Sequence, residues 1–291
     1  GRVGVVVLDH RRPEEAARAA VSAFQADVAP RVLVVRNGPG PEAPLPEGID
    51  RMDLPSNLGY AGGMNRGVAR LAREGCDRVL LLNNDATLDP GSLRRLAEAL
   101  DDPGVAAAGP LVLRPDGRVE SRGIRFDPRS GRLRLIGHGQ RPSATTGVVA
   151  ATSLSGAAWM VRTRVFEALG GLDEDYFFGF EETDWCARAR AAGWRLAVVL
   201  DATARHEGGR SLPRASPQRL YYAARNHLRA AQRIGPLPAP ARWIRGVSIV
   251  TLNLLHALRQ TDLPRGDAAR WVVRGVLDYG RGRFGAWTEA R

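Results

Sequence analysis

Val79-Leu80-Leu81-Leu82-Asn83-Asn84-Asp85-Ala86 sets four apolar residues directly against two amides and a carboxylate. A short, unbroken apolar run bounded by polar residues predicts a strand buried on both faces. Such strands belong to parallel sheets, which hold ligands at the carboxyl ends of their strands. Asp85 is therefore expected at a ligand site. A carboxylate flanked by amides suits a hard divalent cation that carries phosphate oxygens. The alternative is a plain turn before a helix, because Asn83, Asn84 and Asp85 all favour turns.

The flanking sequence supports the sheet. Residues 3–8 predict a strand ending at Asp9-His10, and Pro13-Glu14-Glu15 opens a helix in the way Pro and acids favour. Residues 31–36 and 49–54 predict two more strands, separated by a Pro/Gly-rich loop. A glycine-rich loop at 59–67 is expected to enter a helix, and Asp89-Pro90-Gly91-Ser92 starts another. Alternating strands and helices over the first 110 residues argue an α/β fold with a parallel sheet. Residues 111–150 predict hairpins or an irregular insert. An apolar segment at 153–161 contains Trp159; helices follow at 164–169 and 181–192, then a strand at 194–200 with His206 beyond it. The tail predicts helices at 221–234, around 243–258 and at about 268–279.

A chain of 291 residues can bury one large core, and 44% hydrophobic with 25% charged residues is ordinary for a globular protein. Cys76 and Cys186 have neither metal-ligand nor redox spacing, which points to a reduced, cytoplasmic setting. No signal peptide is visible, because residues 3–8 are too short for its apolar core. The net charge of +11 equals the excess of 16 Arg over 5 acidic residues in 205–291. All basic residues are arginines. Such a tail could meet nucleic acid, acidic substrates or an anionic membrane surface. No nucleic-acid recognition motif accompanies the charge, so nucleic acid is not expected. Trp243, Val247, Val250, Leu254 and Leu258 form an apolar stripe, interrupted by Arg245 and shorter than a bilayer span. It suits a membrane surface met through 240–291, or packing on the catalytic part or on a second subunit of a homo-oligomer.

Two further pieces carry chemistry. Glu181-Glu182-Thr183-Asp184 gathers three carboxylates, which repel unless a cation or substrate uses them. One of them, beside Phe178, Phe180 and Trp185, could have a raised pKa and act as a general base. The plainer alternative is an acidic first turn of a helix. His206 at a strand end could be a metal ligand or simply structural. The glycine-rich loop is neither a Walker loop nor a dinucleotide fingerprint.

The order of these pieces over residues 3–235 resembles the family 2 glycosyltransferases of GT-A fold, especially their rhamnosyltransferase-like branch. The resemblance rests on Asn57-Leu58-Gly59-Tyr60-Ala61-Gly62-Gly63-Met64-Asn65, on Leu82-Asn83-Asn84-Asp85, and on the run from Gly156 to His206-Glu207-Gly208-Gly209. It implies a catalytic domain at 1–210, with a nucleotide-sugar half to about 110 and an acceptor half beyond it, and a basic helical extension at 211–291. It implies that Asp85 binds Mg2+ or Mn2+ on the donor diphosphate, with His206 a second metal ligand or a diphosphate contact. Asn57, Gly59, Gly62, Asn65 and Asn83 would line the donor site. Glu182 would be the general base of an inverting transfer to a glycan or lipid-linked acceptor. Trp159, Glu181, Asp184 and Arg188 would support the acceptor side. The enzyme would work in the cytoplasm or on the inner face of the membrane, in cell-wall or polysaccharide synthesis.

Two departures stand out. The first strand ends Leu8-Asp9-His10, where the family has Thr-Tyr-Asn or Asn-Tyr-Asn. Arg36 replaces the Asp that contacts the nucleotide base, which leaves the base open and makes Asp9 the candidate acceptor. No Gln/Arg-x-x-Arg-Trp motif follows Asp184, so a single addition is expected. The rival readings are a degenerate nucleotide-sugar binding or scaffold protein, and a nucleotidyltransferase on a related fold.

Overall fold

The structure, a computed structural model, describes residues 1–26, 28–208, 216–259 and 263–287. Gly209 and the domain boundary read at 210/211 lie outside the described residues. The elements run β1 (Arg2–Asp9), α1 (Pro13–Phe24), β2 (Arg31–Asn37), β3 (Ile49–Leu54), α2 (Gly59–Arg73), β4 (Cys76–Asn83), β5 (Ala86–Leu88), α3 (Ser92–Ala99) and β6 (Val105–Leu113). The insert holds β7 (Val119–Ser121), β8 (Ile124–Phe126), β9 (Leu133–Leu135) and β10 (Val148–Ala151). Then come β11 (Ala158–Arg162), α4 (Thr163–Ala168), a 3-10 turn (Glu174–Tyr176), α5 (Glu181–Ala191), β12 (Arg195–His206), α6 (Pro217–Ile234), α7 (Ala239–Leu258) and α8 (Arg265–Gly280).

The main sheet runs β10-β12-β6-β11-β4-β1-β2-β3. The half from β3 to β4 is parallel, as its sequence predicts. β11 enters antiparallel between β4 and β6, so the sheet is mixed. Val79, Leu80, Leu81 and Leu82 are fully buried. Leu80 and Leu82 pack on one face with Ala16, Leu93 and Leu96. Val79 and Leu81 pack on the other with Trp159, Phe166 and Trp185. That alternation is why four consecutive apolar residues are tolerated: each face is covered by helices, and each Leu contributes about 1.5–3 kcal/mol.

The segment 59–67 is not a loop. It forms the first half of α2, whose Ala61, Met64, Val68 and Leu71 fall at helical spacing and are buried. Its glycines allow the helix to lie close on the sheet. A Cβ at Gly63 would come 2.3 Å from Leu8 Cδ1, and one at Gly67 would come 2.5 Å from Val6 Cγ1. β12 also runs past the expected end at 200, so His206 sits on the strand itself.

The C-terminal helices form their own small cores. Leu220 and Ala224 of α6 pack with Ala268 and Val272 of α8. Leu228 and Ala231 pack with Ile249 of α7. The apolar stripe splits between two faces. Leu254 and Val250 turn towards these cores, while Trp243, Val247 and Leu258 are exposed. No helix among the described residues is long and apolar enough to cross a membrane.

Candidate active site

Strand pairing brings Asp85 to His206. β5 runs antiparallel to β12 with Ala86 opposite His206, and the Glu207 amide donates to the Asp85 carbonyl at 3.0 Å. His206 Nε2 lies 3.2 Å from Asp85 Oδ1. Its Nδ1 lies 3.0 Å from Glu120 of β7. Burial alone would lower the His206 pKa, but hydrogen bonds to Asp85 and Glu120 raise it to about 9. The imidazolium thus fills the space between two carboxylates. Asp85 Oδ1 and His206 Nε2, 3.2 Å apart, are the two atoms here that would together hold a divalent ion. An oxygen and an imidazole nitrogen suit Mn2+ or Mg2+. No group of three or more His, Cys, Asp or Glu among the described residues could hold a metal. A bound ion would therefore keep positions for phosphate oxygens and water, which is how such ions usually meet phosphates.

Beside this pair lie two hollows. A cleft of about 190 Å³ is lined by Arg18, Asn84, Asp85, Arg205 and His206. A cavity of about 540 Å³ shares Asn84 and adds His10, Asn37, Asn57, Tyr60 and Asn83 from the sheet side. Phe177, Phe178, Tyr222 and Trp287 close its far side. One buried network shapes its floor. Asn37 Nδ2 donates to Asn57 Oδ1 at 3.0 Å and to the Gly59 carbonyl at 2.8 Å. Asn37 Oδ1 accepts from the Leu58 amide at 2.8 Å. Asn83 Oδ1 is buried without a hydrogen-bond partner among the described residues, a costly arrangement that a ligand donor would relieve.

Glu181 and Glu182 start α5. Burial pushes both carboxyls up, and Glu182 beside it raises Glu181 further. Glu182 Oε1 accepts from Thr183 Oγ1 at 3.3 Å, and a Cβ on Gly156 would lie 3.5 Å from the Glu182 carboxyl carbon. Tyr60 donates to the Gly156 carbonyl at 3.1 Å, which joins the cavity wall to the carboxylate pair. Burial pushes the Tyr60 hydroxyl far up, and the charges of Glu181, Glu182 and Asp85 push it further.

Comparison with known proteins converges on the same region. A sequence profile described as "Glycosyltransferase like family 2" matches residues 42–232. An N-acetylglucosaminyl-diphospho-decaprenol L-rhamnosyltransferase from Mycobacterium tuberculosis is 30% identical over 224 residues, 69% of this chain and 73% of that protein. The chain belongs to glycosyltransferase family 2. A dTDP-rhamnosyl transferase of Shigella flexneri is 23% identical over 62% of each chain. Among solved structures, GalNAc-T7 with UDP, GalNAc and Mn2+ has a TM-score of 0.59 at 12% identity, covering 96% of this chain. This chain spans 54% of that one, about half its length. A mannosyltransferase from Pyrobaculum calidifontis with GDP-Man and Mn2+ gives 0.53 at 15% identity, covering 97% and 86%. These structures establish a GT-A fold for the glycosyltransferase.

Not every residue singled out in the sequence faces a hollow of this glycosyltransferase. Arg36 is bound by Glu42 and by Asp53 at 2.8 Å. It shares a small cleft with Asp9, whose carboxylate accepts from the Arg12 amide at 2.9 Å. Asn65 spends its side chain on both backbone groups of Leu172. Gly62 faces Leu58 inside α2, and Trp159 is core, 5.2 Å from the Trp185 ring. Asp184 is a buried anchor that accepts from Tyr176, Arg188 and Arg233. Arg188 extends it to the carbonyls of Leu169 and Gly171.

Other residues of the site are not among those singled out. Glu120 has no spacing to mark it, while His10 and Asn37 lie in the strand ends Leu8-Asp9-His10 and Arg36-Asn37-Gly38, where attention fell on Asp9 and Arg36. Arg225 and Asn226 of α6 are fully buried under the site. Asn226 donates to the carbonyls of Tyr176, Phe178 and Gly179, and Arg225 to those of Asp175, Tyr176 and Gly285. The available signal was an Arg-Asn pair on the apolar face of a predicted helix, where unpaired polar groups are costly.

Proposed function

We propose that the enzyme transfers one sugar from a nucleotide-diphosphate sugar to a lipid-linked glycan acceptor, inverting the anomeric configuration, in cell-surface polysaccharide synthesis. The observation that carries this reading is the adjacent carboxylates of buried Glu181 and half-buried Glu182, both with raised pKa values, linked through Tyr60 to the cavity that adjoins Asp85 and His206. The activities named for two relatives, a rhamnosyltransferase for a diphospho-decaprenol acceptor and a dTDP-rhamnosyl transferase, support a deoxyhexose donor and a lipid acceptor.

In this reading Asn57, Asn83 and Asn84 hold the donor from the sheet side, and Asp85 with His206 holds Mn2+ or Mg2+. The ion supplies charge neutralisation for the leaving diphosphate. Glu182 takes the proton of the acceptor hydroxyl. The acceptor oxygen then bonds to the anomeric carbon from the face opposite the diphosphate. The bond from that carbon to the diphosphate oxygen breaks, and its electron pair leaves on the diphosphate. A carboxyl whose pKa is raised by burial suits such a base, because its ionised form is more basic than an exposed carboxylate. The aromatic wall of Phe177, Phe178, Tyr222 and Trp287 would seat a sugar ring and keep water out. A lipid acceptor would place the reaction on the inner face of a membrane.

Glu182→Gln tests the reading. Turnover should fall roughly 10²–10⁴-fold, while binding of the nucleotide diphosphate with Mn2+, measured by calorimetry, stays at the wild-type level. Wild-type activity surviving in the variant would remove Glu182 from the role. Nucleotide binding by the wild type without any transfer would favour a binding or scaffold protein.

A further inference from the structure

Eight of the eleven exposed large apolar side chains among the described residues lie on α7 and α8. Trp243 is 73% and Ile244 65% exposed, and Val247, Leu252, Leu255 and Leu258 continue along α7. The spacing of Trp243, Ile244, Val247, Leu255 and Leu258 places these five on the face opposite Arg245, Ile249 and Ala257, which are buried, while Leu252 falls on the side of Arg245. From Trp243 to Leu258 this face is about 22 Å long. The arginines frame it. Arg242 and Arg259 stand near its two ends, and Arg265, Arg270 and Arg281 are exposed on and beside α8. Asp267 is the one exposed acidic residue among the described residues of 239–287, since Asp278 is buried and accepts from Tyr221.

An apolar helix face with an arginine surround is suited to lie in the plane of an anionic lipid surface, with the apolar side chains in the acyl region and the guanidinium groups at the headgroups. A hollow of about 670 Å³ beside Trp243, lined by Leu228, Ala231, Ile249 and Val250, gives an acyl chain a place to enter. We propose that α7 docks the enzyme onto an anionic lipid leaflet through the face from Trp243 to Leu258.

Charge complementarity decides between a leaflet and a second copy of the chain. A second copy would bring the same arginines face to face, whereas an anionic leaflet neutralises them. The surface also connects to the active site. Tyr222 lines the 540 Å³ cavity and Ala231 lines the hollow under Trp243, on one rigid helix, α6. Nine residues separate them, about 13 Å along the axis. The docking stands on exposure and charge alone; its purpose, to bring a lipid-linked acceptor to the cavity, rests on the function proposed above.

Flotation with vesicles tests the proposal. The protein should float with vesicles of mixed phosphatidylglycerol and phosphatidylcholine, and at least roughly tenfold less with phosphatidylcholine alone. Binding should weaken as salt rises. The double variant Val247→Asp, Leu255→Asp changes only exposed positions, so it should keep the wild-type melting temperature and nucleotide binding while losing flotation. Absence of wild-type flotation with the anionic vesicles, or flotation unchanged in the variant, overturns the proposal. So does a dimer by light scattering that Ile244→Asp dissociates, which would show a second copy on this face. Nucleotide binding needs no vesicles, so failure of the donor reading would show there and not in flotation.

Discussion

His206 has a carboxylate at each ring nitrogen, Asp85 at 3.2 Å and Glu120 at 3.0 Å. If Asp85 and His206 hold the ion, Glu120 fixes the ring and raises the basicity of the free nitrogen, as outer carboxylates do for ligating histidines. Glu120→Gln should weaken Mn2+ binding, measured by calorimetry with the nucleotide diphosphate, by roughly 10–100-fold. Unchanged Mn2+ affinity would remove Glu120 from that role. Without metal the same pairing makes stability depend on pH. The folded pKa, about 9, lies above the ordinary value of 6.5, so the fold favours the protonated ring. That contribution is complete below pH 6.5 and is lost as pH rises through 9. It amounts to at most about 3 kcal/mol. Denaturant unfolding of the metal-free protein should show this decline, and His206→Gln should flatten it. Asp85, Glu182 and His206 could be read in the sequence because each is a titratable residue beside an element boundary. Glu120 could not, because it lies in a three-residue strand, 86 positions from its partner.

The segment that delivers Glu181 and Glu182 to the site is held in an unusual backbone. Phe177 has φ +61° and Phe180 φ +77°, a left-handed region that bulky residues rarely adopt. Each costs about 1–3 kcal/mol. Tyr60 and α6 over-determine the segment: the Tyr60 amide donates to the Phe177 carbonyl at 2.7 Å, and Asn226 Nδ2 reaches three carbonyls of residues 176–179. Asn226→Ala strips those carbonyls of a buried donor. It should lower the melting temperature and reduce kcat, with binding of the nucleotide diphosphate unchanged because Asn37, Asn57 and Asn83 are untouched. A lowered melting temperature with wild-type kcat measured well below it would show that Asn226 stabilises the fold without aligning Glu182. Elements with one clear periodicity, such as β2 and β3, were legible almost to the residue. α2 was not, because its glycines signal a loop while its apolar spacing signals a helix, and packing against Leu8 and Val6 decided for the helix. The α7 stripe misled for the opposite reason: two apolar faces on one helix do not reveal which one is covered.

Across the whole molecule the charge is divided as sharply as the fold. The first 204 residues balance, and the segment 205–291, which contains α6, α7 and α8, carries the full excess of +11. Those helices do two jobs at opposite ends. At one end α7 presents its apolar face; at the other the chain turns back beneath the site. Arg225 donates to the Gly285 carbonyl at 2.8 Å, Arg229 lies 4.1 Å from the Phe284 ring centre, and the Trp287 amide donates to Tyr222 Oη at 2.7 Å. Trp287 thereby reaches the 540 Å³ cavity, across from Asn37 and Asn83. Because the nucleotide side proposed for the cavity comes from the sheet, loss of Trp287 should leave donor binding intact and fall on the acceptor. Trp287→Ala keeps the Gly285 and Phe284 contacts and should raise KM for the acceptor roughly tenfold, with the melting temperature near that of the wild type. Removing residues 284–291 also takes those contacts from Arg225 and Arg229, so it should add a loss of several degrees in melting temperature. If Trp287→Ala weakens donor and acceptor equally, the aromatic wall is not an acceptor platform. If it changes neither while the truncation unfolds the protein, the returning segment is a clamp on α6 and the acceptor must be recognised elsewhere in the cavity.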